Sequence, residues 1–167
     1  MFELPSQFSS FIETAEINVA KGLTLGFSLP NASQHDWSSL HADKQSTGDS
    51  SRVRLYRRCI LASCCVNMNS RPLSEFCNDE QQKKIATAIQ ANDLSTVSME
   101  QLSVFYEQVL SQIIGKIPEQ LIEAAYNKFS AWIQDKTFEI MPMPTEPEVI
   151  DNLDVIGMLK NPDRGQL

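Results

Sequence analysis

The fold is decided by residues 94–136, which read LSTVSMEQLSVFYEQVLSQIIGKIPEQLIEAAYNKFSAWIQDK. Ser98 and Gln101 have the spacing of a capping box, in which each side chain hydrogen-bonds the backbone of the other at a helix N-terminus. Val97 and Leu102 flank the box at the positions of a hydrophobic staple, which fixes the direction of chain entry. The sequence therefore predicts a helix that begins at Met99.

Two apolar stripes follow from this helix start. The first recurs at helical spacing up to Gly115, and glycine suits the left-handed residue that ends many helices. Pro118 then stands in the first turn of a second helix, where a missing N–H does no harm. The stripe of this second helix consists of Leu121, Ile122, Ala125, Phe129, Trp132 and Ile133. Neither stripe has the residue types that a reaction centre needs, so both predict packing surfaces.

Two more helices are predicted upstream. A serine at residues 50–51 can cap a helix that runs to about Val66, with apolar side chains on one side and arginines on the other. Residues 78–81 open another helix that runs to about Ala91, and their acidic side chains suit the positive end of the helix dipole. The stretch between these helices, residues 67–74, contains a proline and is interpreted as a connection.

Residues 15–29 have strand periodicity, because their apolar side chains fall on alternate positions around a Lys-Gly turn signal. A two-residue loop would pair Val19 with Thr24 and divide the apolar side chains between two faces. A loop of odd length centred on the glycine pairs Val19 with Leu25 and keeps them on one face, which predicts a β-hairpin with an odd-length turn. The same register pairs Ile17 with Phe27 and Ala15 with Leu29.

A helix over residues 6–20 competes with the first strand, since Phe8, Phe11, Ile12 and Ala15 fall at helical spacing. The first half of that helix is compatible with the hairpin. A two-stranded hairpin is marginally stable alone, so its apolar face is expected to pack on the helices or on another chain.

Residues 30–51 are rich in Ser, Asp, Asn, Gln and His and have only Trp37 and Leu40 as apolar anchors. This composition predicts a long surface connection, which a short helix over residues 36–42 can interrupt. Trp37 either fills the core of its own chain or anchors a partner protein, and the core role is preferred.

The chain changes character at residue 137. Prolines interrupt the segment that follows and forbid a central strand, and six acidic residues stand against two basic ones. The sequence predicts one domain over residues 1–136 and a proline-bearing acidic arm over residues 137–167. This arm docks along a neighbouring protein or wraps its own helices. The apolar side chains expected to make the contact are Phe138, Ile140, Met141 and Met143.

The net charge of −7 argues against nucleic acid and anionic membrane as partners. No apolar run approaches the roughly 20 residues that span a bilayer. The cysteines, which lack a CxxC pair and so fit zinc poorly, are expected to be buried, reduced thiols in a reducing compartment. They are Cys59, Cys64, Cys65 and Cys77.

Catalytic patterns are weak in this sequence. The two histidines, His35 and His41, lie in the polar connection without a glycine-flanked nucleophile, so no triad is expected. Together with Asp36 and Asp43 they can be drawn as a metal cluster, but a solvated loop contains the same residue types. No Gly-rich phosphate cradle is present, and neither a cofactor nor a metal is predicted.

Four arginines within seven residues form the one local basic patch, on the polar side of a predicted helix. On an acidic chain they are better suited to paired carboxylates than to phosphates. The hypothesis is that they clamp an acidic arm, from this chain or from a neighbouring subunit, and a solvated helix face is the simpler alternative. The four are Arg52, Arg54, Arg57 and Arg58.

Three predicted segments follow one another along the chain. They are the hairpin, a basic helix at residues 52–66 that reaches a Cys and a Val, and the stretch NDLSTVSMEQLSVFYEQVL at residues 92–110. This order resembles small tail-assembly and baseplate-hub proteins of tailed bacteriophages. In those proteins a helix ending near Cys precedes an Asp-Leu-x-x-x-[Ser/Asp]-x-x-x-Leu turn. The resemblance covers about residues 15–114 and implies an adaptor without catalytic residues, and the C-terminal arm favours a permanent virion part.

These observations together predict a mainly α protein with a small N-terminal β-hairpin (α+β), a helical bundle-like core and an extended C-terminal arm. The predicted function is a non-enzymatic structural or assembly subunit that binds other proteins in the host cytoplasm or the virion. The alternatives are a bacterial helical adaptor or regulatory domain with one protein partner, and a small metal-dependent hydrolase using His35, Asp36 and His41.

Overall fold

A computed structural model describes residues 13–140 of the chain. The α-helices are Ala32–Gln45 (α1), Asp49–Cys64 (α2), Glu80–Gln90 (α3), Met99–Gln112 (α4) and Glu119–Ile140 (α5). The β-strands are Thr14–Ala20 (β1), Leu23–Ser28 (β2), Cys65–Met68 (β3) and Arg71–Pro72 (β4). Within the described range, two 3-10 turns, Leu73–Phe76 and Ile114–Lys116, accompany these helices and strands. The prediction of a mainly α chain with an N-terminal antiparallel hairpin is confirmed.

The chain divides into two units, residues 1–133 and 134–167. The boundary falls within α5, so the first unit contains β1 to α4 and the first part of α5. Among the residues that the structure describes, no helix has the length and apolar character that a bilayer crossing requires.

The hairpin has its apolar side chains on one face, as predicted. These buried side chains are Ile17, Val19, Leu25 and Phe27. The predicted odd-length turn is wrong, because Ala20 lies opposite Leu23 and two residues connect the strands. Ile17 therefore lies opposite Leu25 rather than Phe27. A β-bulge between Asn18 and Ala20 restores the single apolar face that a two-residue turn would otherwise divide.

Two strands that the sequence did not predict extend the hairpin into a sheet of order β1-β2-β3-β4. The predicted helix end at Val66 is wrong, because α2 stops at Cys64 and the next residue begins β3 without a linker. Phe27 lies opposite Cys65 and Leu25 opposite Met68, so pairing with β2 overrides the helical pattern. The predicted connection at residues 67–74 holds the rest of β3, β4 and the start of a 3-10 turn.

The predicted polar connection at residues 30–51 is wrong, since α1 occupies most of it. Asn31 caps this helix, because its Oδ1 accepts a hydrogen bond from Gln34 N at 3.0 Å. In return Gln34 Oε1 accepts from Asn31 N at 2.8 Å, which completes a capping box. The sequence allowed only a short helix at residues 36–42, because the core side of α1 is polar and small, with Gln34, Ser38 and Ala42 buried in place of an apolar stripe. The Gln34 amide is satisfied there by donating to the Ser63 carbonyl at 2.7 Å.

The predicted start of α4 is confirmed. Gln101 N donates to Ser98 Oγ at 3.2 Å, and Ser98 N donates to Gln101 Oε1 at 2.9 Å. The starts of α3 and α5 also agree with prediction, with Asp79 as the cap of α3. Gly115 is not the predicted left-handed residue, because it lies within the 3-10 turn that follows α4.

The core surrounds the C-terminal half of α2. Each of its last six residues is at most 2% exposed, so this end of the helix is buried on all sides. The residues are Cys59, Ile60, Leu61, Ala62, Ser63 and Cys64. The sheet covers part of this helix, and α4 and α5 add further buried side chains, which include Phe105, Val109, Ile122 and Phe129.

Candidate protein-binding surfaces

Arg58 is the last arginine of the predicted patch along α2 and is engaged inside the fold. Its guanidinium donates to the carbonyls of Ile114 at 2.8 Å and Ile117 at 3.0 Å. It also donates twice to Glu119 Oε2, at 2.8 and 3.1 Å. Arg58 thus satisfies carbonyls in and just after the 3-10 turn that follows α4, and it ties α2 to the start of α5.

Arg57 also binds α5. Its guanidinium lies 3.6 Å from Glu123 Oε1 and 5.5 Å from the ring centroid of Tyr126. The carboxylates that pair with Arg57 and Arg58 therefore belong to the first turns of α5, which precede the predicted acidic arm. These two arginines join helices within one domain, which is a structural use of the basic patch.

Arg52 and Arg54 form the outer part of the patch. Arg52 pairs with Asp43 near the end of α1, and this contact raises the pKa of the guanidinium. The Arg54 side chain donates to the Ser50 carbonyl at 3.3 Å and is exposed. The hypothesis of an acidic clamp thus stays a prediction for this outer pair, which is the part of the patch turned to solvent.

Trp37 is half-buried against the core. Its Nε1 donates to Ser103 Oγ at 3.0 Å, and its ring meets Tyr106 edge-on and stacks on His41, each at 5.1 Å between centroids. The residue packs on its own chain, which is the role preferred for it from the sequence. His41 Nδ1 lies 3.9 Å from a Glu107 carboxylate oxygen on α4.

The predicted C-terminal contact residues are placed only in part. Phe138 and Ile140 belong to α5, so the prediction of an extended arm is wrong up to Ile140. The helical spacing that begins at Leu121 continues past residue 136 and explains the difference. Phe138 is 72% exposed. Met141 and Met143 lie outside the described residues.

The groups considered for catalysis are separated. His35 Nδ1 lies 2.7 Å from the Tyr56 hydroxyl, whereas His41 stacks on Trp37. In the described range 13–140, no three His, Cys, Asp or Glu side chains are close enough to hold a metal ion. His35, Asp36 and His41, the residues named for the alternative of a metal-dependent hydrolase, therefore do not form a metal-binding cluster in the described range.

The cysteines are free thiols in the structure, and three of them are buried. Burial raises the pKa of Cys64 to about 12 and raises that of Cys65 further, because the charged thiolate is poorly solvated in the core. Burial likewise raises the pKa of the Tyr106 hydroxyl to about 12. These groups stay neutral at ordinary pH.

We expect the fold to lose stability above pH 9. Cys64 has a usual pKa of 9.0, so at higher pH the unfolded chain releases a proton that the folded chain keeps until about pH 12. The contribution of each such thiol to the free energy of unfolding is fully present below pH 9. Above pH 9 it falls by about 1.4 kcal/mol per pH unit. Urea unfolding from pH 8 to 11 measures this slope. In Cys64→Ala the slope is smaller, and an unchanged slope contradicts the assignment.

A groove that the sequence did not reveal lies between the 3-10 turn at Leu73–Phe76, the start of α3 and one side of α4. Its volume is about 410 Å³. Its apolar lining is Leu73, Phe76, Cys77, Phe105, Val109 and Ile113. Its polar lining is mostly amide, with Asn78, Asp79, Gln81, Gln82, Gln108 and Gln112.

Phe76 makes this groove a candidate binding surface. Its side chain is 40% exposed, and the Arg71 guanidinium lies 5.3 Å from its ring centroid. Arg71 also pairs with Glu75 at 2.5 Å, which holds the cation beside the ring. The spacing of Gln108 and Gln112, one turn apart on α4, was a sequence signal for the polar side of the groove. The 3-10 turn that faces them could not be placed from sequence.

No protein-family model, curated protein or solved structure matches this chain. A functional proposal for it therefore depends on its residues and their geometry.

Proposed function

We propose that this protein is a non-enzymatic subunit that binds other proteins within a larger assembly. The observation that carries the proposal is the groove beside α4, with the exposed Phe76 at its margin. An aromatic side chain in such a position is the residue type that dominates protein interfaces, because it buries a large area with little loss of conformational entropy.

The lining of the groove favours a peptide segment as its occupant. Phe105 and Val109 form an apolar floor, and each is nearly buried in the free chain. The amides of the rim both donate and accept hydrogen bonds, so they match the peptide groups of a bound segment. Gln82 Oε1 is enclosed without a donor among the described residues, so turning this amide toward a ligand breaks no internal bond at that oxygen.

The proposed assembly is a bacteriophage tail or baseplate, either as a virion part or as an assembly factor. Its support is the resemblance of residues 15–114, in which α2 ends at Cys64 and Asp93-Leu94 leads through Ser98 into α4. Two helices, α1 and α3, lie within that span as additions to the pattern. A bacterial helical adaptor that binds one protein transiently is the second candidate, since the same groove serves either role.

The test is a mass measurement of the full chain, alone and co-expressed with the products of neighbouring genes. We expect a complex of fixed stoichiometry with at least one product. Phe76→Ser should weaken it by about tenfold or more, as for the loss of an aromatic anchor. Leu40→Ser is the matched control, because Leu40 is 60% exposed and lies on α1 away from the groove.

Retention of the complex at full affinity in Phe76→Ser rules out the groove as the binding surface. A monodisperse monomer in the presence of every neighbouring product rules out the assembly function. Rapid exchange with a single product favours the adaptor.

A further inference from the structure

The two edges of the four-stranded sheet are built differently. β4 forms one edge with two residues, and its Pro72 cannot donate a backbone hydrogen bond to an added strand. β1 forms the other edge over seven residues, and within residues 13–140 no strand lies on its outer side. The β4 edge is thus closed to further pairing, whereas β1 presents a template for another strand.

β1 has little of the protection that edge strands usually carry, namely the single charge of Glu16 and one bulge. Its sequence TAEINVA contains no proline, lysine or glycine, and its bulge lies at the turn end, between Asn18 and Ala20. Glu16 and Asn18 are exposed on the solvent face, while Ile17 is buried on the core face. The strand therefore offers outward backbone N–H and C=O groups over most of its length.

The sequence of β1 is complementary to itself in the antiparallel direction. When Ile17 lies opposite Ile17 of a second copy, Glu16 lies opposite Asn18 of that copy, and the reverse pair forms by symmetry. A carboxylate then meets an amide donor on the solvent face, and no two carboxylates are opposed. In the single chain the Glu16 carboxylate lies over Gly26 of β2, where it accepts from Asn67 Nδ2 at 3.1 Å. Contact with Asn18 of a second copy therefore requires this side chain to turn toward the outer edge of β1.

We propose that two copies of this chain join through their β1 strands into a continuous eight-stranded antiparallel sheet with Ile17 on the two-fold axis. The pairing is isologous, so it closes at a dimer and leaves β4 at both ends. This inference goes beyond the proposed function and does not depend on it, because it concerns a different surface. The dimer is expected in the micromolar range, since an edge contact is small for a protein interface.

The net charge of −7 on each copy opposes association at long range. Added salt screens this repulsion beyond about 10 Å at 0.1 M and beyond about 3 Å at 1 M, while the backbone hydrogen bonds of the paired strands are little affected. The dimer should therefore strengthen as the salt concentration rises, unlike a contact held by ion pairs.

Sedimentation equilibrium of the full-length chain tests the proposal. Asn18→Glu places a carboxylate opposite Glu16 twice per dimer and should weaken association by about tenfold. Asn18→Lys, at the same exposed position, places a cation there and should strengthen it by a similar factor. The double variant Glu16→Lys/Asn18→Glu restores opposite charges and should regain the affinity that Asn18→Glu loses.

A chain that stays monomeric at millimolar concentration overturns the proposal. So does a dimer that responds equally to both Asn18 substitutions, because it then associates through another surface. Circular dichroism of each variant confirms that the monomer fold is kept. Binding of the neighbouring gene products through the groove is measured separately, so failure of the dimer leaves that result unaffected.

Discussion

Arg58→Ala is expected to destabilise the fold by about 3 kcal/mol, one of the two largest effects of a single side chain that we predict. The substitution removes four donated hydrogen bonds. The Ile117 carbonyl loses the Arg58 donor, and the Ile114 carbonyl keeps its backbone bond from Ile117 N at 3.2 Å. The substitution also leaves the Glu119 carboxylate, which is about two-thirds buried, without its cation. Denaturant unfolding monitored by circular dichroism measures the loss.

Arg54→Ala is the matched control, since it lies one turn earlier on α2 and its described contact is one exposed hydrogen bond to the Ser50 carbonyl. Its effect should stay within about 0.5 kcal/mol. Equal losses for the two variants would show that the patch stabilises through net charge rather than through the contacts of Arg58. A double-mutant cycle of Arg58→Ala, Glu119→Gln and the two together then measures the coupling between the partners.

Phe129→Ala is expected to destabilise the fold by about 4 kcal/mol. The Phe129 side chain is 1% exposed and joins α5 to the sheet, with its ring centroid 5.3 Å from that of Phe27 and 6.2 Å from that of Trp132. Truncation to alanine leaves a cavity between α5 and the sheet, where the Phe129 ring now packs on Phe27. The midpoint of urea unfolding measures the change.

Phe76→Ala is the control, because it removes the same type of side chain at a site that is 40% exposed. The comparison shows how much of the loss in Phe129→Ala comes from burial. The loss of stability in Phe76→Ala should be about 1 kcal/mol, because little area is withdrawn from contact. A loss as large as that of Phe129→Ala would place Phe76 in the core and remove the basis for the binding groove.

The sequence predicted the elements whose signals are local. Ser98, Gln101 and Asp79 mark helix starts through bonds that span three residues, and the structure has each of them. The apolar face of each hairpin strand was also predictable, because alternate apolar positions specify it within the strand. For the arginine patch, the sequence predicted the cluster of positive charge but not which of the four arginines face solvent.

The elements that were missed depend on distant partners. α1 hides its role because Gln34 is buried by a bond to Ser63, 29 residues away. β3 is set by pairing with β2, and the β1 bulge reconciles a short turn with a shared apolar face. The groove needs a 3-10 turn and α4 side by side, an arrangement that no local pattern specifies.

The direct passage of α2 into β3 at Cys64 and Cys65 has a consequence for the order of unfolding. The enclosed half of the helix cannot fray outward from its C-terminus, because that end is tied to a neighbouring strand. Its amide protons should therefore exchange with deuterium only when the whole domain opens, and should be the slowest in the chain. Helix and sheet are in this sense one cooperative unit.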